Sequence, residues 1–191
     1  MVFELSIAVV AFLVNAVATG YVNLTGRVHF SRSQDLRDLG FRYVRPLVPP
    51  WDARVSTITL GVMVGLPVWA MLRSAARTRI FLDICRAYGM TTILRSLAIC
   101  CTLLPPPRYP VRRSAVELVL TGGEYDKIFS GHAAFSLVTT YVLVHHAAAS
   151  VWTYLAPAIV SWSLIASRDH YTIDVYLGLV IGYLVSKLSV D

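Results

Sequence analysis

Charge is what this sequence has least of. Only 15 % of its 191 residues are Asp, Glu, Lys or Arg, against about 25 % in an ordinary soluble domain. That deficit argues against a water-soluble globular fold, whose surface needs those charges. Cysteine is scarce too. Cys85, Cys100 and Cys101 show no C-x-x-C spacing and two of them are adjacent, which speaks against a disulfide framework or a zinc site. Their apolar surroundings mark them as small packing residues. No repeat of fixed period is visible. No basic stripe is interleaved with aromatics, so the net charge of +6 points to anionic lipid or phosphate, and nucleic acid is not expected as a partner.

What the chain does have is apolar length. Its hydrophobic fraction is 56 % and its mean hydropathy +0.62. A membrane-crossing helix needs about 20 mostly apolar residues, and six such segments can be drawn, at about 3–22, 55–72, 80–104, 133–149, 151–167 and 172–190. The expected fold is an all-α integral membrane protein: a six-transmembrane-helix bundle, multi-pass, with residues 1–191 forming a single membrane-embedded domain. The first segment lacks a basic leader and carries Glu4, so it is expected to be a span and not a cleaved signal. Parity then places the polar stretches 23–54 and 105–130 and the turn at Arg168 on one membrane face. Basic residues are denser there, but some of them are candidate substrate ligands, so the positive-inside rule leaves orientation open. Trp51, Trp69, Trp152 and Trp162 suit an interfacial belt, and His145 and His146 fall at the opposite end from that face. Asp83 and Arg86, at i, i+3, suggest an interfacial salt bridge.

Two clusters share the polar face. Phe129-Ser130-Gly131-His132 opens the fourth segment, and Ser167-Arg168-Asp169-His170-Tyr171-Thr172-Ile173-Asp174 opens the sixth. His170 and Asp174 are four apart, on one face of a helix. A carboxylate there can accept the proton of one imidazole nitrogen and leave the other to attack. Ser130 and Gly131 offer backbone N–H groups at a helix start, suited to an anionic phosphate. Arg168 would add a bidentate donor, and His132 would protonate a departing oxygen. No metal or cofactor is needed. Arg95, about 13 Å below the end of the third segment by helical rise, is costly at that depth unless paired; it is expected near the substrate phosphate or Asp126. Arg108, Arg112 and Arg113 read equally well as lipid-phosphate ligands or as a solvated loop.

Ser-Gly-His followed downstream by His-x-x-x-Asp resembles the type 2 phosphatidic acid phosphatase superfamily. The compact string His170-Tyr171-Thr172-Ile173-Asp174-Val175 is more similar to the sphingomyelin synthase family than to the lipid phosphatase branch, where Ser-Arg stands five residues before the histidine. The phosphatase branch's upstream Lys, six residues, Arg-Pro motif is missing: Asp38 stands where Arg45-Pro46 would require the lysine. Leu94-Arg95-Ser96 through Pro105 is similar to the synthases' third-span motif, and Asp126 has the spacing of their Cys-Gly-Asp element, with Glu124 and Tyr125 in place of the cysteine and glycine. Asp38-Leu39-Gly40-Phe41 and the prolines after it weakly resemble a further element, and Ala133 replaces the usual threonine after Ser-Gly-His.

The resemblance implies a phosphotransferase. His170 would attack the phosphorus of a glycerophospholipid, oriented by Asp174. His132 would protonate the leaving diacylglycerol and later deprotonate the hydroxyl of a ceramide-like acceptor. Arg95, Asp126, Ser130, Gly131, Arg168 and Tyr171 would contact substrate, and the setting would be an endomembrane (Golgi or endoplasmic reticulum) or plasma membrane in a eukaryote. The competing expectations are a lipid phosphate phosphatase with water as acceptor, and an inactive homologue acting as scaffold or transporter. Head group, acceptor and oligomeric state are not legible.

Overall fold

In the computed structural model, residues 2–30, 36–47, 55–107 and 123–190 are described; Trp51, Arg108, Arg112 and Arg113 lie outside them. Among the described residues all regular structure is helical. Seven α-helices run through the described residues in the order α1 Val2–His29, α2 Leu39–Tyr43, α3 Val55–Arg73, α4 Arg77–Cys101, α5 Gly131–His145, α6 Leu155–Ala166, preceded by a 3₁₀ turn Val151–Tyr154, and α7 Thr172–Val190.

Each of the six apolar segments coincides with a helix, but by length and composition only α1 and α7 are long and apolar enough to cross a membrane. The reasons differ among the others. α4 has the length but carries Arg77, Arg79, Asp83, Arg86 and Arg95. The 15 residues of α5 rise about 22 Å, short of a hydrocarbon core of about 30 Å. The apolar stretches Ile58–Arg73 and Val151–Ala166 are also short.

The packing is inverted relative to a soluble bundle. Large apolar side chains such as Phe3, Val17, Leu24, Leu66, Leu97, Trp162 and Leu188 point outward, whereas Thr19, Thr91, Ser96, Thr140, Ser163 and Ser186 are buried. Several of those hydroxyls bond back to carbonyls of their own helices, as Thr91 does to Ala87 and Ser186 to Gly182, which satisfies them without a partner helix. α4 is central. It packs on α1, α5 and α7, while α3 leans on α6 and α5. Close approach relies on small residues: a Cβ on Gly178 of α7 would fall 2.6 Å from the Ser130 carbonyl oxygen, and one on Gly182 would fall 3.1 Å from that of Ala134.

Two sequence expectations are corrected. Asp83 does not pair with Arg86. Its Oδ2 takes Arg79 Nε at 3.2 Å and His146 Nε2 at 2.8 Å, and Arg86 reaches the Ser189 carbonyl at 3.4 Å. An i, i+4 partner on the same helix and the imidazole just past the end of α5 outcompete the i+3 arginine. Cys100 and Cys101 are exposed, not packed, and Cys85 is half-buried; all three are free thiols.

Candidate active site

The two motif clusters meet at one end of the bundle. Ser130 caps α5, its hydroxyl accepting the Ala133 N–H at 3.3 Å, as expected of serine at this position. Its own N–H donates to the carbonyl of Asp174 at 2.9 Å, so the starts of α5 and α7 are joined directly. The rings of His132 and His170 have centroids 6.4 Å apart and planes inclined by 60°. His170 Nδ1 lies 3.5 Å from Asp174 Oδ2, a little beyond hydrogen-bond length; that same oxygen accepts the Tyr171 N–H at 3.0 Å.

The route from α6 to His170 is a tight reversal. Arg168 N–H bonds the Ile165 carbonyl and Asp169 N–H the Leu164 carbonyl, the paired bonds of a Schellman ending. Glycine normally fills the left-handed position of that motif. Here it is Arg168, with φ of 56°, at a cost of about 1–2 kcal/mol. Its side chain offsets this: the guanidinium donates to the carbonyls of Ile165, Phe41 and Val44 at 3.0–3.1 Å and lies 4.1 Å over the Phe41 ring. The structure therefore does not bring Arg168 to the histidines. It fastens the segment around α2 across the His170 turn. Asp38 completes that clamp, capping α2 through Phe41 N–H and accepting the N–H and hydroxyl of Thr172.

Arg95 turns inward from α4. The helix ends at Cys101, so Arg95 sits only about 9 Å from its end, shallower than a span reaching 104 implies. Its nitrogens donate to Asp126 Oδ2 at 2.7 Å, Asn15 Oδ1 at 2.7 Å, the Asp126 carbonyl at 3.2 Å and the Phe129 carbonyl at 3.2 Å. Asp126 also accepts the Gly123 N–H at 3.0 Å and lies 3.9 Å from Lys127 Nζ. Burial acts to raise the Asp126 carboxyl, but Arg95, Lys127 and that N–H outweigh it and hold it below the ordinary carboxylate range. The 123–130 segment is docked on α1 as well, through Asn23 Oδ1 and the Glu124 N–H at 2.8 Å.

A cavity of about 510 Å³ opens from this polar end. Asp126, Lys127, Gly131, His132, His170 and Arg95 line one end of it, and Tyr88, Ile84, Phe81, Val68 and Met71 carry it down the bundle. From Arg95 to Phe81 along α4 is about 21 Å. Gly131 is part of its wall, with Arg95 Nε 3.4 Å from where a Cβ would be. Ser130 and Tyr171 do not line it. Tyr171 donates its hydroxyl to the Pro105 carbonyl at 3.1 Å and stacks on Phe41. Sequence reasoning gave no role at the site to Asn15, Lys127, Asp38 or Thr172, although Thr172 lies within the second motif cluster and Asp38 opens the Asp38-Leu39-Gly40-Phe41 element. Lys127 carried a further signal, standing next to Asp126 and three residues before Ser130. Asn15 is distant in the chain and polar without a motif. Among the described residues no group of His, Cys, Asp or Glu is arranged to hold a metal ion.

Fold and site together define a class: a protein helical in all the regular structure of its described residues, with an apolar exterior and a cavity of about 510 Å³ lined at its polar end by two histidines. A family match accompanies it. Residues 125–190 match the family described as PAP2 superfamily C-terminal, a stretch that holds both motif clusters and α5 to α7. That likeness is consistent with phosphatase or phosphotransferase chemistry on lipids. No curated protein matches the chain.

Proposed function

We propose that this protein is a multi-span membrane phosphotransferase that moves a phospho-head group (phosphocholine, phosphoethanolamine or phosphoinositol) from a glycerophospholipid to a ceramide-like acceptor. The observation that carries the reading is the pair of imidazoles 6.4 Å apart at the polar end of a long apolar cavity. Neither group alone does the chemistry; the spacing leaves room for one phosphorus atom between them.

With the Nδ1 proton directed at Asp174, His170 Nε2 attacks phosphorus. A P–N bond forms as the P–O bond to diacylglycerol breaks, and His132 gives its proton to the departing oxygen. The acceptor hydroxyl then loses its proton to His132 and attacks; the new P–O bond forms as the P–N bond breaks. Separations slightly over hydrogen-bond length, like that of His170 and Asp174, commonly tighten when substrate binds. Positioning and charge stabilisation supply most of the rate in such transfers. The apolar walls favour an alcohol over water as acceptor by keeping water out. The six-span reading draws on the outward apolar side chains: polar groups turned inward allow short or charged helices such as α5 and α4 to sit in a bilayer with their ionisable residues facing a cavity.

The test uses detergent-solubilised protein, fluorescent ceramide and donor lipids bearing choline, ethanolamine or inositol. A new fluorescent phospholipid is expected from at least one donor, together with acid-labile phosphohistidine that His170→Ala removes. Release of inorganic phosphate from phosphatidic acid, a monoester donor, without an added alcohol would identify a phosphatase instead.

A further inference from the structure

Lys127 is the cation that neither motif accounts for. It is buried, which lysine almost never is unless paired. Its ammonium donates to the Gly123 carbonyl at 2.9 Å and stands 3.9 Å from Asp126 Oδ1, and the residue lines the same cavity as His132 and His170. The other basic side chains of the region are occupied differently. Arg168 is directed to the carbonyls of Ile165, Phe41 and Val44, away from the cavity. Arg95 spreads across Asn15, Asp126 and Phe129, where its planar fork holds the 126–129 segment in place.

Of the charged residues lining the cavity two are cations, Arg95 and Lys127, and one is a carboxylate, Asp126, so the lining itself carries a positive charge, with Asp174 3.5 Å behind His170. Low-dielectric walls concentrate the field of such a charge. An ammonium has three N–H donors on a flexible stem, so it can take up a phosphate oxygen while keeping its bond to Gly123.

We propose that Lys127 binds the substrate phosphate, its ammonium contacting a non-bridging oxygen of the group held between His132 and His170. This rests on the reading that a phosphate occupies that space. It assigns the phosphate-binding charge to the segment before α5, in place of the arginine on the α6–α7 turn.

Binding separates this proposal from the catalytic one. Inorganic phosphate and glycerophosphocholine, a soluble phosphodiester, are titrated against the full chain in detergent and followed by ³¹P NMR. Wild type and His170→Ala are expected to bind; Lys127→Gln and Lys127→Met should bind roughly ten- to a hundredfold more weakly, the range of one charged hydrogen bond, and Lys127→Arg should retain most affinity. In turnover with a lipid donor, Lys127→Gln should raise KM far more than it lowers kcat. A second readout needs no variant: the ¹⁵N signal of the Lys127 ammonium in wild type should shift on adding phosphate. Equal affinity in Lys127→Gln, an unmoved ammonium signal, or no binding by wild type each overturns the proposal. Phosphate binding through Lys127 without any phosphohistidine would sink the catalytic reading and leave this one standing.

Discussion

The N–H of Ser130 donates to the carbonyl of Asp174 at 2.9 Å, joining the helix start that carries His132 to the helix start that carries Asp174. Two motifs 44 positions apart by number, 130 and 174, are thereby locked in register by a backbone bond that substitution of either side chain leaves in place. Side-chain variants at the site therefore test chemistry more than architecture.

Asp174→Asn is the direct case. It keeps the shape of a fully buried side chain but removes the carboxylate that the proposed mechanism uses to fix the His170 tautomer. Head-group transfer should fall by roughly 10³-fold or more, the order seen when the orienting carboxylate of a catalytic triad is neutralised. Initial rates with the best donor lipid measure it, and an unchanged thermal midpoint would show that the fold survives.

Gly178 tests the register itself. An added methyl would fall 2.6 Å from the Ser130 carbonyl oxygen, which is backbone and cannot swing aside. Gly178→Ala should cost about 1–3 kcal/mol, as overpacking usually does, visible as a lowered thermal midpoint. Gly65→Ala, where nothing lies within 4 Å of the new Cβ, is the control and should not lower it.

Asp126 makes stability depend on pH. Its carboxyl is held below the ordinary range in the folded protein, so the ionised form contributes stability at all pH above the unfolded carboxylate value of about 3.9. That contribution is lost as pH falls through the lower folded value. Acid unfolding below about pH 4 should thus be blunted in Asp126→Asn, although that variant is weaker near neutrality. Arg95→Met, which leaves Asp126 buried beside Lys127 alone among the cations it contacts, should cost about 3–5 kcal/mol. Thermal melts in detergent across pH decide both.

Arg168→Gly separates backbone from side chain. Glycine relieves the left-handed φ of 56° yet removes the bonds to Phe41 and Val44. Amide exchange of residues 38–44 should accelerate while α7 stays protected. Phosphate affinity should be unchanged. A large loss of phosphate binding would instead return Arg168 to the role the motif suggests.

The chain's own order of residues determined a good deal. Apolar runs placed the helices, because a charge-poor chain has few other ways to satisfy its backbone. The i, i+4 spacing of His170 and Asp174 put both on one helical face, and serine before glycine marked the cap of α5. Local rules decide each of these. What only the tertiary structure decided are the partners of long side chains. Arg95 found Asn15, 80 positions away. Arg168 turned to the carbonyls of Phe41 and Val44 that α2 brings to the Schellman reversal, and Lys127 became a cavity wall because Gly123 and Asp126 fold back around it. A flexible cationic side chain takes its role from whichever acceptors the packed helices deliver to it, and no spacing along the chain encodes that delivery.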